Sequence, residues 1–253
     1  MQLVELVTCT VLFSTLLVSA LLLKRPVHST YRIYMAPTDE QWPPRAGLST
    51  HVVPRKFVIV SVPGSITIEA PARLVFQVIR DVSAYPSWNS FCPSVTIHSQ
   101  PDGIPSGEQS LLHKDTAFTF GVVMDPAKPN SKTDTSLRIT DLSTPSSQSS
   151  YLPEEQLNDG SFEPDLSKVW RIAWTTFGGY VARGLKTERF SEVIELDDGR
   201  CLHRTWECQG GILARTVKWM FEKRLKERFQ VWCQDLKREC ERQVKEGKKD
   251  VRG

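Results

Sequence analysis

His203, Thr205 and Glu207 fall at alternate positions of the run Arg200–Gln209, whose period of two belongs to a strand, so all three share one face. Leu202, Arg204, Trp206 and Cys208 take the other face. A His and a Glu at the edge of an apolar space are pushed toward their neutral forms by the low dielectric, a state suited to proton transfer. The opposite orientation, with the polar face outward and Trp206 buried, fits the same alternation, and period two does not choose between them. Glu188, Arg189 and Glu192 on the preceding run read as solvated residues or cross-strand pairs.

The other chemistry-bearing types are thinly placed. There is no Gly-x-Ser-x-Gly elbow, no Gly-rich phosphate loop before a helix and no His-Glu-x-x-His. Cys201/Cys208 and Cys233/Cys240 lack the spacing of common zinc sites and read as structural. No metal and no cofactor is expected. Aromatic residues are more telling: Phe118, Phe120, Trp170, Trp174, Phe177, Tyr180 and Trp206 are many for one sheet. They read either as core or as the wall of an apolar pocket. Trp88 and Asn89 lie on a turn between two helical segments, where Asn either caps the backbone or offers a polar contact to a ligand.

The elements that must position these groups are legible from pattern. Val60, Val62, Ile66 and Ile68 alternate as a half-buried strand. Ala70-Pro71 stops it, and Leu74, Val75, Val78, Ile79 and Val82 recur at helical spacing before Asp81-Val-Ser-Ala-Tyr85-Pro-Ser-Trp88-Asn89. Strands are predicted at 94–99, within 107–124 (one bent or two), and at 133–142, 168–177, 185–196 and 200–209, with a turn at Asp197-Asp198-Gly199. From Leu213 through Val217, Met220, Phe221, Leu225, Phe229, Trp232, Leu236 and Cys240 to Val244, apolar residues step by three or four along one long helix. Residues 143–167, rich in Ser, Pro, Asp and Glu, read as a surface insertion.

Strand, amphipathic helix, Tyr-Pro-x-Trp-Asn turn, closing hairpin, Gly210-Gly211 and long helix together resemble the START-like superfamily (SRPBCC, the plant-allergen-like helix-grip fold), in its polyketide cyclase/dehydratase branch. The likeness covers roughly residues 57–246. It implies an α+β fold in which a curved antiparallel sheet of six or seven strands wraps a long C-terminal helix and encloses a small hydrophobic molecule. It further implies that His203 and Glu207 act as proton-transfer groups. Trp88, Asn89, Phe118, Phe120, Trp170, Trp174 and Tyr180 then contact the ligand. Two functions follow from different classes: a cyclase or dehydratase of polyketide or other secondary-metabolite biosynthesis, or a non-enzymatic carrier of a lipid, sterol or quinone.

The net charge of +3 is too small to point to a polyanionic partner, and no nucleic-acid binding is expected. From Leu213 onward, thirteen Lys/Arg stand against seven Asp/Glu, but the signs alternate along the tail (247–253 and the turns before it) as on a solvated helix face. Leu3–Leu23 is a 21-residue run with one charge, long enough to cross a bilayer. Residues 1–25 are therefore expected to be a transmembrane anchor and 26–56 a Pro-rich tether. Val18-Ser19-Ala20 supports a cleaved signal peptide instead. Against that reading, no Lys or Arg precedes the apolar run. Lys24, Arg25, Arg32, Arg45, Arg55 and Lys56 follow it, which places the domain on the cytoplasmic side of a single-pass anchor. Deleting residues 1–25 is expected to move the protein from the membrane to the soluble fraction of a lysate with its melting temperature intact. Aggregation of the truncated chain would instead make the segment part of the fold.

Overall fold

The alternation of Val60, Val62, Ile66 and Ile68 is realised as strand β1 (Val60–Ile68), with Val60, Val62 and Ile68 fully buried. These elements come from a computed structural model that describes residues 42–250 other than Tyr180, with the backbone alone for 248–250. The expected anchor (1–25), the first part of the tether, Tyr180 and residues 251–253 lie outside the described residues. Among the described residues no helix is long and apolar enough to cross a membrane.

After β1 come α1 (Ala72–Arg80), the short α2 (Tyr85–Trp88), β2 (Ser94–Ser99), β3 (Ala117–Val122) and β4 (Thr133–Ser143). There follow α3 (Glu154–Leu157), β5 (Val169–Thr176), α4 (Val181–Gly184), β6 (Lys186–Glu195), β7 (Cys201–Gly210) and α5 (Ile212–Asp250). The seven strands form one antiparallel sheet in the order β1-β7-β6-β5-β4-β3-β2. The long helix α5 crosses its inner face, giving the helix-grip architecture. The strand expected over 107–124 is shorter. Residues 106–108 form a 3-10 turn and Asp115 takes a positive φ of 67°, so only 117–122 pair as strand.

Two glycines mark close approaches. A Cβ on Gly64 would come within 3.1 Å of Cys233 Sγ, which is why α5 can lie directly on β1. Gly211 turns the chain from β7 into α5 with φ +90°, and a Cβ there would meet the Gly184 carbonyl oxygen at 2.6 Å.

The core beneath the helix is aromatic. Trp232 is fully buried, edge-on to Tyr85 (5.7 Å) and Trp88 (5.6 Å), with Phe120 at 6.3 Å. The α2 turn is tied to the helix by Asp235, whose Oδ2 accepts from Ser90 N at 2.9 Å and Ser90 Oγ at 2.6 Å. Arg228 Nη2 donates to the Ser90 carbonyl at 2.7 Å from about two helical turns earlier.

The outer face of the sheet carries a second core. Phe190 and Trp206 stack at 4.7 Å, with Trp42 and Phe162 edge-on to Trp206 at 5.4 and 5.7 Å. Leu48 and Val53, read above as tether, and Leu152 and Phe162, read as surface insertion, are buried in this layer. The residues from 42 to 58 and the 143–167 segment are therefore a coat over the sheet. Their apolar residues are isolated rather than periodic, and so gave no pattern. Under this coat Glu188 is buried. It accepts from Thr140 Oγ1 (2.8 Å), Tyr151 Oη (2.9 Å) and Val52 N (3.1 Å), while Glu192 pairs across strands with Arg171 at 2.6 Å. The solvated reading of these acids gives way because the coat excludes water.

The first turns of α5 depart from the expected stripe, since Leu213 and Met220 are exposed while Leu225, Phe229, Trp232 and Leu236 are buried. Trp232→Ala removes the ring on which Tyr85, Trp88 and Phe120 converge and is expected to cost about 3–5 kcal/mol. Urea unfolding checks this, and an unchanged midpoint would put the ring outside the core.

Candidate functional site

Because successive strand residues alternate faces, the register Arg189↔Glu207 and Thr187↔Gln209 places four polar side chains on the inner face of β6 and β7. They meet a space of about 780 Å³ that the first half of α5 does not fill. Phe118 and Phe120 of β3, Leu137 of β4 and Trp174 of β5 form its wall. Val217, Phe221, Leu225 and Phe229 of α5 close it from above, and Phe177, Gly178, Gly179 and Val181 rim the mouth. Arg189, Glu207 and Gln209 supply the polar end. A cavity with apolar walls and few convergent polar groups is the usual shape of a small-molecule site.

Arg189 is the unusual member. Its side chain is buried, and the guanidinium carbon sits 4.0 Å from the ring centre of Phe229, 4.4 Å from Trp232 and 5.4 Å from Trp174. Nε donates to Thr205 Oγ1 at 3.0 Å, and that hydroxyl donates onward to the Phe190 carbonyl at 2.7 Å. Nη2 is buried without a hydrogen-bond partner. Burial drives the Arg189 pKa below its ordinary value, and the Glu207 carboxylate opposes that shift. The aromatic faces offset part of the desolvation.

Glu207 stands directly opposite in the register, and its Oε1 accepts from Gln209 Nε2 at 2.6 Å. Burial raises its pKa, against the pull of the Gln209 hydrogen bond and of Arg189. Such a carboxyl exchanges protons nearer neutrality than a solvated one. Cys92 also lines the cavity, and burial pushes its thiol up to about 12, so it is no nucleophile there.

Of the residues singled out from sequence, Phe118, Phe120, Trp174 and Glu207 meet at this cavity. His203 shares the inward face but lies deeper, fully buried, with Nε2 2.8 Å from Ser191 Oγ and Nδ1 unpartnered. Burial, and then Arg189, hold its pKa down at about 3, so its ring stays neutral. Asn89 turns its amide inward on the chain: Oδ1 accepts from Phe91 N (3.1 Å) and Cys92 N (2.8 Å), fixing the turn below the cavity. Trp88 packs on Trp232, and Trp170 is half-buried against the core beyond the cavity. Tyr180 lies outside the described residues. Arg189, expected as a solvated residue or a cross-strand pair, is instead buried opposite Glu207: a charged residue on an alternating strand is most simply placed on the solvated face, and only the outer coat reverses that choice. Among the described residues no group of His, Cys, Asp and Glu is arranged to hold a metal ion.

Residues 68–211 match the sequence family described as polyketide cyclase/dehydrase and lipid transport. A Penicillium oxalicum protein named oxopyrrolidines biosynthesis cluster protein O is 32% identical over 201 residues, covering 75% of this chain and 90% of its own. Among solved structures, a hypothetical protein from Helicobacter pylori superposes with a TM-score of 0.50 at 15% identity, over 79% of this chain and 93% of that one. A START superfamily protein from Mycobacterium smegmatis gives 0.47 at 14%, over 72% and 97%. At such identities the structural likeness concerns the fold.

The buried histidine makes a pH signature. In the unfolded chain His203 takes up a proton near 6.5, but in the fold only near 3, so its contribution to stability is present above 6.5 and is lost as pH falls toward 3. Glu207 has the opposite sign, its raised pKa contributing stability that is lost as pH rises through it. The stability of the wild type minus that of His203→Gln is therefore expected to fall steadily between pH 6.5 and 3, by up to about 1.4 kcal/mol per unit. A difference that stays flat over this range would place His203 in contact with water.

Proposed function

The chain belongs to the polyketide cyclase/dehydrase and lipid transport family, and on that premise we propose that its START-like domain binds a small, mainly apolar molecule and acts on it as a cyclase or dehydratase in secondary-metabolite biosynthesis. The observation that carries this reading is the cavity of about 780 Å³ with aromatic walls and an Arg189–Glu207–Gln209 end. The Penicillium relative, named for a biosynthesis cluster, supports the metabolic setting. Residues 3–23 tether the domain to the cytoplasmic side of a membrane in this reading, supported by the Lys and Arg that follow the apolar run.

In the proposed chemistry the apolar walls hold a β-carbonyl chain in a folded, reactive conformer, which supplies much of the rate. A carbonyl oxygen set against Arg189 Nη2 gains a charge-assisted hydrogen bond that strengthens as the enolate forms. The Glu207 carboxylate removes a proton from a carbon next to that carbonyl. The electron pair then either attacks a second carbonyl carbon, forming a ring, or expels a β-hydroxyl, forming a double bond. The Glu207 carboxyl returns the same proton, to the new alkoxide in the first case or to the departing hydroxide as water in the second. His203 positions β6 against β7 through Ser191 and is not asked to move a proton.

Carriage of a lipid, sterol or quinone without chemistry is the second reading, favoured by the shortness of the catalytic inventory at the polar end of the cavity. Incubating the full chain in detergent with β-polyketone chains and with sterol, then weighing what is recovered, separates the two. Arg189→Met is expected to weaken binding of the β-polyketone by about tenfold or more, the value of a hydrogen bond to a charged group. Glu207→Gln should keep affinity within about tenfold and lower turnover by about 10². Recovery of every compound unchanged, with Glu207→Gln silent, would leave carriage as the function.

A further inference from the structure

We propose that the first turns of α5, beside the cavity mouth, dock on an anionic lipid bilayer. The stretch Ile212–Arg224 contains four cations, Arg215, Lys218, Lys223 and Arg224, against one acid, Glu222. Between them stand side chains that a water-facing helix has no use for: Trp219 is 85% exposed, Ile212 84% and Met220 55%. These are the most exposed large apolar side chains among the described residues of the helix. Between Ala214 and Leu225 no residue of the helix is buried, so the first turns present apolar residues on more than one side of it.

The apolar ground continues onto the mouth. Leu213 packs where a Cβ on Gly184 would stand, joining α5 to α4, and Val181 of α4 is 59% exposed. Phe221, also partly exposed, lines the cavity on its other side. An aromatic residue flanked by Lys and Arg and backed by aliphatic side chains is the composition of a helix lying in a headgroup layer, where the rings reach the acyl boundary and the cations meet phosphate and carboxylate. A protein partner of matching shape would need acids opposite four cations, but a bilayer supplies them without any particular register. The charge and the apolar side chains thus favour one occupant. The docking stands on this face alone; only the further consequence, that the ligand passes between bilayer and cavity past Phe177, Gly178, Gly179 and Val181, rests on the ligand-binding reading above.

The test uses the full chain on vesicles of phosphatidylcholine with about one-third phosphatidylserine, with brominated acyl chains as quencher of tryptophan emission. The Trp219 signal is the difference between wild type and Trp219→Phe, a change at an exposed site that should leave the melting temperature unaltered. Docking predicts that more than about half of this difference signal is quenched on anionic vesicles. It predicts release of the quenching in about 1 M salt, where the Debye length is about 3 Å. Replacing Arg215, Lys218, Lys223 and Arg224 together by Glu should abolish it even while the chain stays vesicle-bound through its N-terminal segment. The proposal is overturned if Trp219 remains open to an aqueous quencher on vesicle-bound protein, or if the full chain binds no vesicle. It is equally overturned if Trp219 is already shielded in detergent solution, by a second copy where the mass doubles, or by the chain's own N-terminal segment where it does not. None of these readouts involves ligand, so ligand binding and docking fail separately.

Discussion

A guanidinium buried beneath a helix is the constraint on which the inner face of this sheet depends. Arg189 needs aromatic faces on one side, which Phe229 and Trp232 of the long helix provide, and a hydroxyl at Nε, which Thr205 provides from the neighbouring strand. It needs an opposite charge nearby, and the register supplies Glu207. What is left over is Nη2, unpaired at the boundary of an apolar space. An unsatisfied charged donor in that position is costly in an empty cavity and favourable against a ligand's acceptor. The same arrangement leaves a charged donor facing the candidate site.

That constraint is tenable because the sheet is buried on both faces. The coat of residues 42–58 and 143–167 fixes the outer face with Phe190, Trp206, Leu48, Val53 and Phe162, and it takes Glu188 and the Arg171–Glu192 pair out of water. With the strand order and register held from outside, the inner face can spare packing to keep an opening. On the helix side the opening lies between β3–β7 and the part of α5 before Trp232, whereas beyond Trp232 the helix rests on β1 at Gly64 and the space closes.

How far the sequence discloses this depends on periodicity. β1, β6, β7 and the buried half of α5 declare themselves through periods of two and of three to four, and those periods carry the fold. The inward face of β7 was beyond period two, because both faces of that strand are buried: Trp206 outward and Glu207 inward satisfy a hydrophobic and a polar rule at once. Phe118, Phe120 and Trp174 stand out by number and type, but from sequence core and pocket wall read alike. Arg189 is not, since its placement rests on a coat made of single, unspaced apolar residues far away in sequence. His203 was grouped with Glu207 by alternation, yet four residues along a strand carry it from the cavity's edge into dry core.

The most direct test of the site is a crystal structure of the full chain carrying a β-polyketone or a native ligand extracted with it. Electron density is expected to fill the space between Phe120, Trp174 and Phe229, with a ligand oxygen at hydrogen-bond distance from Arg189 Nη2 and within reach of the Glu207 carboxyl. A ligand seated elsewhere, or one lying in this cavity with only carbon against Arg189, would contradict it.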